Sequence, residues 1–194
     1  LGSKLFANPA LIVSGSLNPV GVATSVEGGY SVRGQWPLAS GCHNADYFWG
    51  QCQVRDEEGN APTDGSPPLR EALLSRDEFE ILDTWHVSGL RGSGSHDVAA
   101  NDVFVPDERM TAVLFQPIRE EGTLFRLPPF TRLAYNKVGV STGIARSAID
   151  QFASLATTHQ RRASGVALRE RADVHVAVAE AETRLRSARA FVLD

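Results

Sequence analysis

The chain has 194 residues and a formal net charge of −4, with 42% hydrophobic and 22% charged residues, a globular composition sufficient for one large domain or two small ones. This acidic balance argues against nucleic acid as a partner, and no apolar run approaches the roughly 20 residues that cross a bilayer. Cys42 and Cys52 are too few for a disulfide framework and form no Cys-x-x-Cys pair, so they read as packed thiols in a reducing cytoplasm.

Up to about residue 115 the signals are short β-branched or aromatic runs separated by turns, the pattern of strands. They fall at 10–14, 21–26, 30–36, 45–54, 71–75, 79–87 and 97–105, with Gly28-Gly29 as a hairpin turn between the second and third. Residues 55–68 are polar and turn-rich and read as an exposed loop. Short strands at this spacing predict an antiparallel barrel or sandwich. The character changes near residues 115–127. Ala134, Val138, Ser141, Ala145, Ala148, Ile149, Phe152 and Ala156 then recur at three- and four-residue intervals, the mark of one buried helix face. A polar break at 157–162 precedes a second stripe, Ala177, Ala181, Leu185, Ala188 and Val192. Alanine-rich stripes let helices approach closely, as in a bundle, and two helices alone cannot cover such faces. The only methionine is Met110 and the sequence stops inside a helical pattern, so both ends read as cuts in a longer protein.

Several motifs imitate catalytic ones. Gly139-Val140-Ser141-Thr142-Gly143 has the spacing of a nucleophile elbow, but that elbow needs a strand before it, and here the match lies within a helical stripe with Ser141 on its packed face. Ser95-His96-Asp97 holds the residue types of a triad, yet neighbours on an extended chain point to opposite faces. The five histidines, at 43, 86, 96, 159 and 175, show no metal-ligand spacing. Gly89-Leu90-Arg91-Gly92-Ser93-Gly94 has its glycines in the wrong order for a dinucleotide fingerprint and reads as a sharp turn between strands.

Two segments resist a packing explanation. In residues 34–42, Gly-Gln-Trp-Pro-Leu-Ala-Ser-Gly-Cys, an apolar strand end delivers one hydroxyl, Ser40, followed by a glycine that permits close backbone approach. Residues 85–106 run from Trp85 through Gly89-Leu90-Arg91-Gly92-Ser93-Gly94-Ser95-His96-Asp97-Val98 to Val103-Phe104-Val105-Pro106, with small polar residues that bury little apolar area. In this order the two segments resemble the middle domain of the acyl-CoA dehydrogenase superfamily. They resemble most its branch of flavin-dependent two-component monooxygenases, related to 4-hydroxyphenylacetate hydroxylase and dibenzothiophene monooxygenase. Ser93 stands where that branch usually has threonine.

The resemblance implies an α+β chain: a central antiparallel β-barrel, residues 1–115, followed by the first two helices of a C-terminal bundle, residues 116–194. It also implies a dimer or tetramer. By position, Ser40 matches the catalytic residue at the flavin N5 edge, with Leu38, Ala39 and Trp85 as walls of the pocket. Leu11, Val13 and Ser14 match the strand along the pyrimidine side. Arg161, or Arg162, matches an arginine on the phosphates of a neighbouring subunit's flavin, a task that suits a permanently charged, bidentate guanidinium. The implied activity is hydroxylation of a small aromatic, phenolic substrate with O2 and reduced FMN or FAD from a separate flavin reductase. An acyl-CoA dehydrogenase using FAD is the alternative. Against it, the chain has Ser14-Gly15-Ser16-Leu17-Asn18-Pro19 where that enzyme carries Thr-Glu-Pro and Gly-Ser-Asp. A hydrolase built on Ser141 and a catalytically silent binding module are more distant alternatives. The family's catalytic glutamate or histidine would lie beyond residue 194.

Overall fold

The computed structural model describes residues 5, 7–115, 121–158 and 166–193. They divide into two compact units, Leu1–Pro117 and Ile118–Asp194.

The first unit is a seven-stranded sheet: β1 (Val13–Val26), β2 (Gly29–Trp36), β3 (Tyr47–Arg55), β4 (Leu69–Ser75), β5 (Glu80–Leu82), β6 (Asp97–Pro106) and β7 (Met110–Thr111). Their spatial order is β5-β6-β2-β1-β3-β4-β7. The sheet is open, which corrects the expected closed antiparallel barrel. Its edges are a three-residue and a two-residue strand that do not pair with each other. Nor is it wholly antiparallel, because β3 sets off beside the start of β1 and runs parallel to it, with Val13 opposite Tyr47. Alternation in a sequence identifies the faces of strands but not which strands close on which. The sheet still curls strongly: Phe79, at the head of β5, meets Phe48 of β3 with ring centroids 5.8 Å apart.

Two expected strands, 10–14 and 21–26, merge into the long β1. The chain passes Asn18-Pro19 as a register irregularity between Ser16 and Gly21, where a missing proline N–H breaks no ladder. The expected strand 79–87 is cut to three residues. Beyond it the N–H groups of Thr84 and Trp85 turn to His96 Nδ1, at 3.1 and 3.2 Å, and leave the ladder.

At the centre of the core lies the fully buried Trp36 indole. It occupies space left by glycines on three adjacent strands, Gly21, Gly34 and Gly50, where an added Cβ would fall within 2.3, 3.2 and 2.8 Å of the ring. Its Nε1 donates to the carbonyl of Gln51 at 2.7 Å. Trp36 is thereby fixed in position and tilt, and so is the segment that follows it.

The second unit has a helical turn α1 (Thr123–Arg126) and two long helices, α2 (Pro129–Thr158) and α3 (Ala172–Leu193). Ala148, Ile149 and Phe152 of α2 line a crevice with Ala177, Val178 and Ala181 of α3, but of the two expected buried stripes only Ala156 and Leu185 are buried, while Ala134, Ala148, Ala177 and Ala188 are exposed. Arg146 bridges the helices to Glu182 and pairs with Asp150 on its own helix. Ser141 is exposed rather than on the packed face, and its hydroxyl donates back to the Lys137 carbonyl at 3.3 Å. Mid-helix, with its proton so used, it forms no nucleophile elbow. Val140, Ile144, Phe191 and Leu193 leave apolar surface exposed. Among the described residues no helix is long and apolar enough to cross a membrane, and no cluster of His, Cys, Asp and Glu could hold a metal.

Candidate active site

Proline after Trp36 ends the β2 ladder, and the chain turns sharply. Leu38 takes a left-handed backbone, φ 62°, which a branched apolar residue adopts only under constraint. The constraint comes from both sides. From β1, Ser16 Oγ donates to the Pro37 carbonyl and Ser14 Oγ to the Ser40 carbonyl, each at 2.9 Å. From the glycine-rich turn, the His96 carbonyl accepts from Ala39 N–H at 3.0 Å and the Ser93 carbonyl from Gly41 N–H at 2.8 Å. The result is a rigid bend. Ala39 is buried in the core, whereas Leu38 is 58% exposed and Ser40 is exposed beside it.

The facing turn is built as tightly. Leu90 is 83% exposed with φ 57°, a second leucine in left-handed backbone. Its carbonyl accepts from Trp85 Nε1 at 3.2 Å and from Ser93 Oγ at 2.8 Å. Ser93 Oγ lies 2.8 Å from the buried Ser95 Oγ, which lies 2.7 Å from Ser40 Oγ. One continuous run of hydrogen bonds therefore joins Trp85, Leu90, Ser93, Ser95 and Ser40. His96 Nδ1 accepts from Thr84 and Trp85, so the ring's proton lies on Nε2, and the ring stands edge-on to His43 at 4.9 Å. Asp97 takes hydrogen bonds from Gln35 and Thr84. Ser95, His96 and Asp97 thus face separate partners and do not act as a triad. Behind the bend, burial pushes the Cys42 thiol up from its ordinary value, and Cys42 Sγ lies 3.4 Å from the Gly94 carbonyl.

Of the residues singled out from sequence, the structure brings Ser14, Leu38, Ala39 and Ser40 together and reaches Trp85 through the hydroxyl chain. Val13 is 48% exposed next to Ser14. Leu11 is half-buried ahead of β1, where the carboxylate of Asp46 accepts from the N–H of the following Ile12 at 2.9 Å. The Ser14 hydroxyl is committed to the Ser40 carbonyl, the Ala39 methyl is buried in the core, and the Ala39 N–H and carbonyl are taken by His96 and Cys42, so these groups brace the bend. Arg161 and Arg162 lie outside the described residues. Ser93, Ser95 and His96 also contact the bend, and their only signal in the sequence is a run of small polar residues that buries little apolar area.

Comparison with known proteins bears on the lineage. Residues 137–194 match the family model described as acyl-CoA dehydrogenase, C-terminal domain. The chain is 34% identical, over 99% of its length, to indole-3-acetate monooxygenase of Pseudomonas putida, covering 48% of that protein. The chain is similar to the acyl-CoA dehydrogenase family over residues 137–194 and to a monooxygenase over nearly its whole length. It is also 30% identical, over 93% of its length, to the oxygenase component of an FADH(2)-dependent resorcinol hydroxylase from Rhizobium, covering 46% of that protein. Among solved structures, the 3-HSA hydroxylase of Rhodococcus sp. RHA1 superposes with a TM-score of 0.78 at 27% identity, over 95% of this chain and 48% of that one. The chain thus spans about half the length of the relatives it matches.

Proposed function

We propose that this chain carries the flavin-contacting part of an oxygenase that hydroxylates a small aromatic, phenolic substrate, using O2 and reduced FMN or FAD delivered by a separate flavin reductase. The observation that carries the reading is the exposed Ser40 hydroxyl on its rigid bend, braced by serines from two directions and flanked by the exposed Leu38. The relatives' printed names, monooxygenases and hydroxylases of aromatic compounds, support the same chemistry.

The residues present fit a flavin. A flat tricyclic ring needs an apolar wall on its face and a hydrogen-bonding group at its reacting edge, and the bend offers Leu38 and Ser40 in that arrangement. Reduced flavin, when bound, supplies the electrons that activate O2. Ser40 would hold the N5 edge with a hydrogen bond of about 1 kcal/mol net. Leu38, Leu11, Val13 and Trp85 would exclude water, which otherwise diverts activated oxygen to hydrogen peroxide. Ala39 and Ser14 would serve by bracing the bend. Arg161 would hold flavin phosphates in a neighbouring subunit of a dimer or tetramer, whose packing would cover the exposed apolar residues of α2 and α3. Residues 1–115 would form the middle domain and 116–194 the opening helices of the bundle, in a cytoplasmic enzyme.

The test supplies the protein with a flavin reductase, NADH, FMN or FAD and a panel of phenols under labelled O2. Hydroxylated product carrying one atom of the label supports the reading. Bleaching of bound oxidised FAD by an acyl-CoA, with no phenol turned over, would overturn it in favour of a dehydrogenase.

A further inference from the structure

Each serine hydroxyl carries a single proton, and that limit gives the chain from Ser40 to Leu90 a direction. The Leu90 carbonyl can only accept. It lies 2.8 Å from Ser93 Oγ, so the Ser93 proton is committed there. Ser93 must then accept from Ser95 across their 2.8 Å contact. Ser95, its own proton spent on Ser93, must accept from Ser40 at 2.7 Å. Ser95 is buried and these two serines are its side-chain hydrogen-bond partners, so reversing the chain would set Ser93 Oγ against the Leu90 carbonyl as two facing acceptors 2.8 Å apart, an unfavourable contact. The same carbonyl also accepts from the Trp85 indole N–H and the Ser93 N–H, which marks it as the accepting end of the chain. The Ser40 proton therefore points inward, and the free valence of its oxygen is a lone pair.

We propose that Ser95 and Ser93 are positioning residues that make the Ser40 hydroxyl a hydrogen-bond acceptor, so that the site selects a ligand edge that donates. Resting on the flavin reading above, this gives the site a redox preference. Reduced flavin presents an N–H at N5, whereas oxidised flavin presents a bare nitrogen that can only accept. Ser40 oxygen facing the first makes a hydrogen bond; facing the second it sets two acceptors together. The site would thereby hold the flavin that still has electrons to give and release it once oxidised. Removing the Ser95 hydroxyl frees the Ser40 proton to turn outward, which weakens the contact with reduced flavin and creates one with oxidised flavin.

The experiment is anaerobic equilibrium binding of FMN and FAD, each oxidised and dithionite-reduced, to the unmodified protein and to Ser95→Ala, Ser93→Ala and Ser93→Thr. In the unmodified protein the reduced form should bind more tightly. The ratio of oxidised to reduced dissociation constants should fall about fivefold or more in both alanine variants, the worth of one ordinary hydrogen bond. It should be retained in Ser93→Thr, which keeps the hydroxyl. A merely structural loss weakens both redox forms alike and leaves the ratio unchanged, and that result, or equal affinities in the unmodified protein, would overturn the proposal. Failure of the unmodified protein to bind either redox form would instead overturn the flavin reading beneath it.

Discussion

Gly21→Ala tests how the core holds the site. A Cβ at Gly21 would stand 2.3 Å from Cζ2 of Trp36 and 2.8 Å from Cys52 Sγ. Ordinary carbon contacts lie near 3.5–4.0 Å, so the ring would have to retreat by more than about 1 Å. It cannot do so freely, since Phe48 packs on it at 5.5 Å between centroids and Gly34 and Gly50 leave no further room. Overpacking of this kind costs about 1–3 kcal/mol, and pulling Trp36 Nε1 off the Gln51 carbonyl adds about 1 kcal/mol. The expected loss is therefore about 3 kcal/mol, read from denaturant unfolding followed by far-UV circular dichroism. Trp36→Phe removes the atom in collision, so in that background Gly21→Ala should cost at least about 1 kcal/mol less, a coupling expected of touching residues. A Gly21→Ala variant within about 0.5 kcal/mol of the parent, or equal costs in both backgrounds, would refute the reasoning.

Acid stability depends on the Glu78–Arg109 pair. Burial pushes the Glu78 carboxyl up, but hydrogen bonds from Arg109, at 2.6 and 2.8 Å, and from Ser75 N–H outweigh it and hold Glu78 below the usual carboxylate range. A lowered folded value gives stability that is present above the unfolded value and lost as pH falls through the folded one. Arg109→Gln should therefore cost about 1–3 kcal/mol near pH 7, with the gap to the parent closing below about pH 4. A gap independent of pH in denaturation curves would contradict this. The two thiols should resist alkylation in the native protein and react together on unfolding, because burial pushes Cys52 up to about 12 and raises Cys42 as well. The same shift works against the fold in alkali: the unfolded thiol ionises first, so stability should fall as pH rises from about 9 toward 12, and less so in Cys52→Ala. Rapid native labelling of Cys52 near pH 8 would count against the packing described.

Much of this architecture was legible in the residues. Short β-branched and aromatic runs between turns placed β2, β3, β4 and β6 within a few residues, and three- and four-residue spacing found α2 and α3. Closure of the sheet was not legible. It depends on the length of the edge strands and on the parallel seating of β3 against β1, and both are decided by long-range packing. The bend at Ser40 could be read as a strand end, since Pro37 and Gly41 punctuate it. Its bracing could not: Ser14, Ser93 and Ser95 are small polar residues whose partners lie 26 to 55 positions away or through a left-handed turn. Ser95-His96-Asp97 does not converge as a triad, and the Ser95 hydroxyl instead contacts Ser40.

The central claim is that Ser40 meets the reacting edge of a reduced flavin. Its most direct test is Ser40→Ala in the reductase-coupled reaction, measuring hydrogen peroxide released for each flavin oxidised against hydroxylated product formed. The account predicts that the fraction of electrons lost to peroxide rises severalfold while the fold, by circular dichroism, is unchanged. An unaltered ratio of product to peroxide would contradict it.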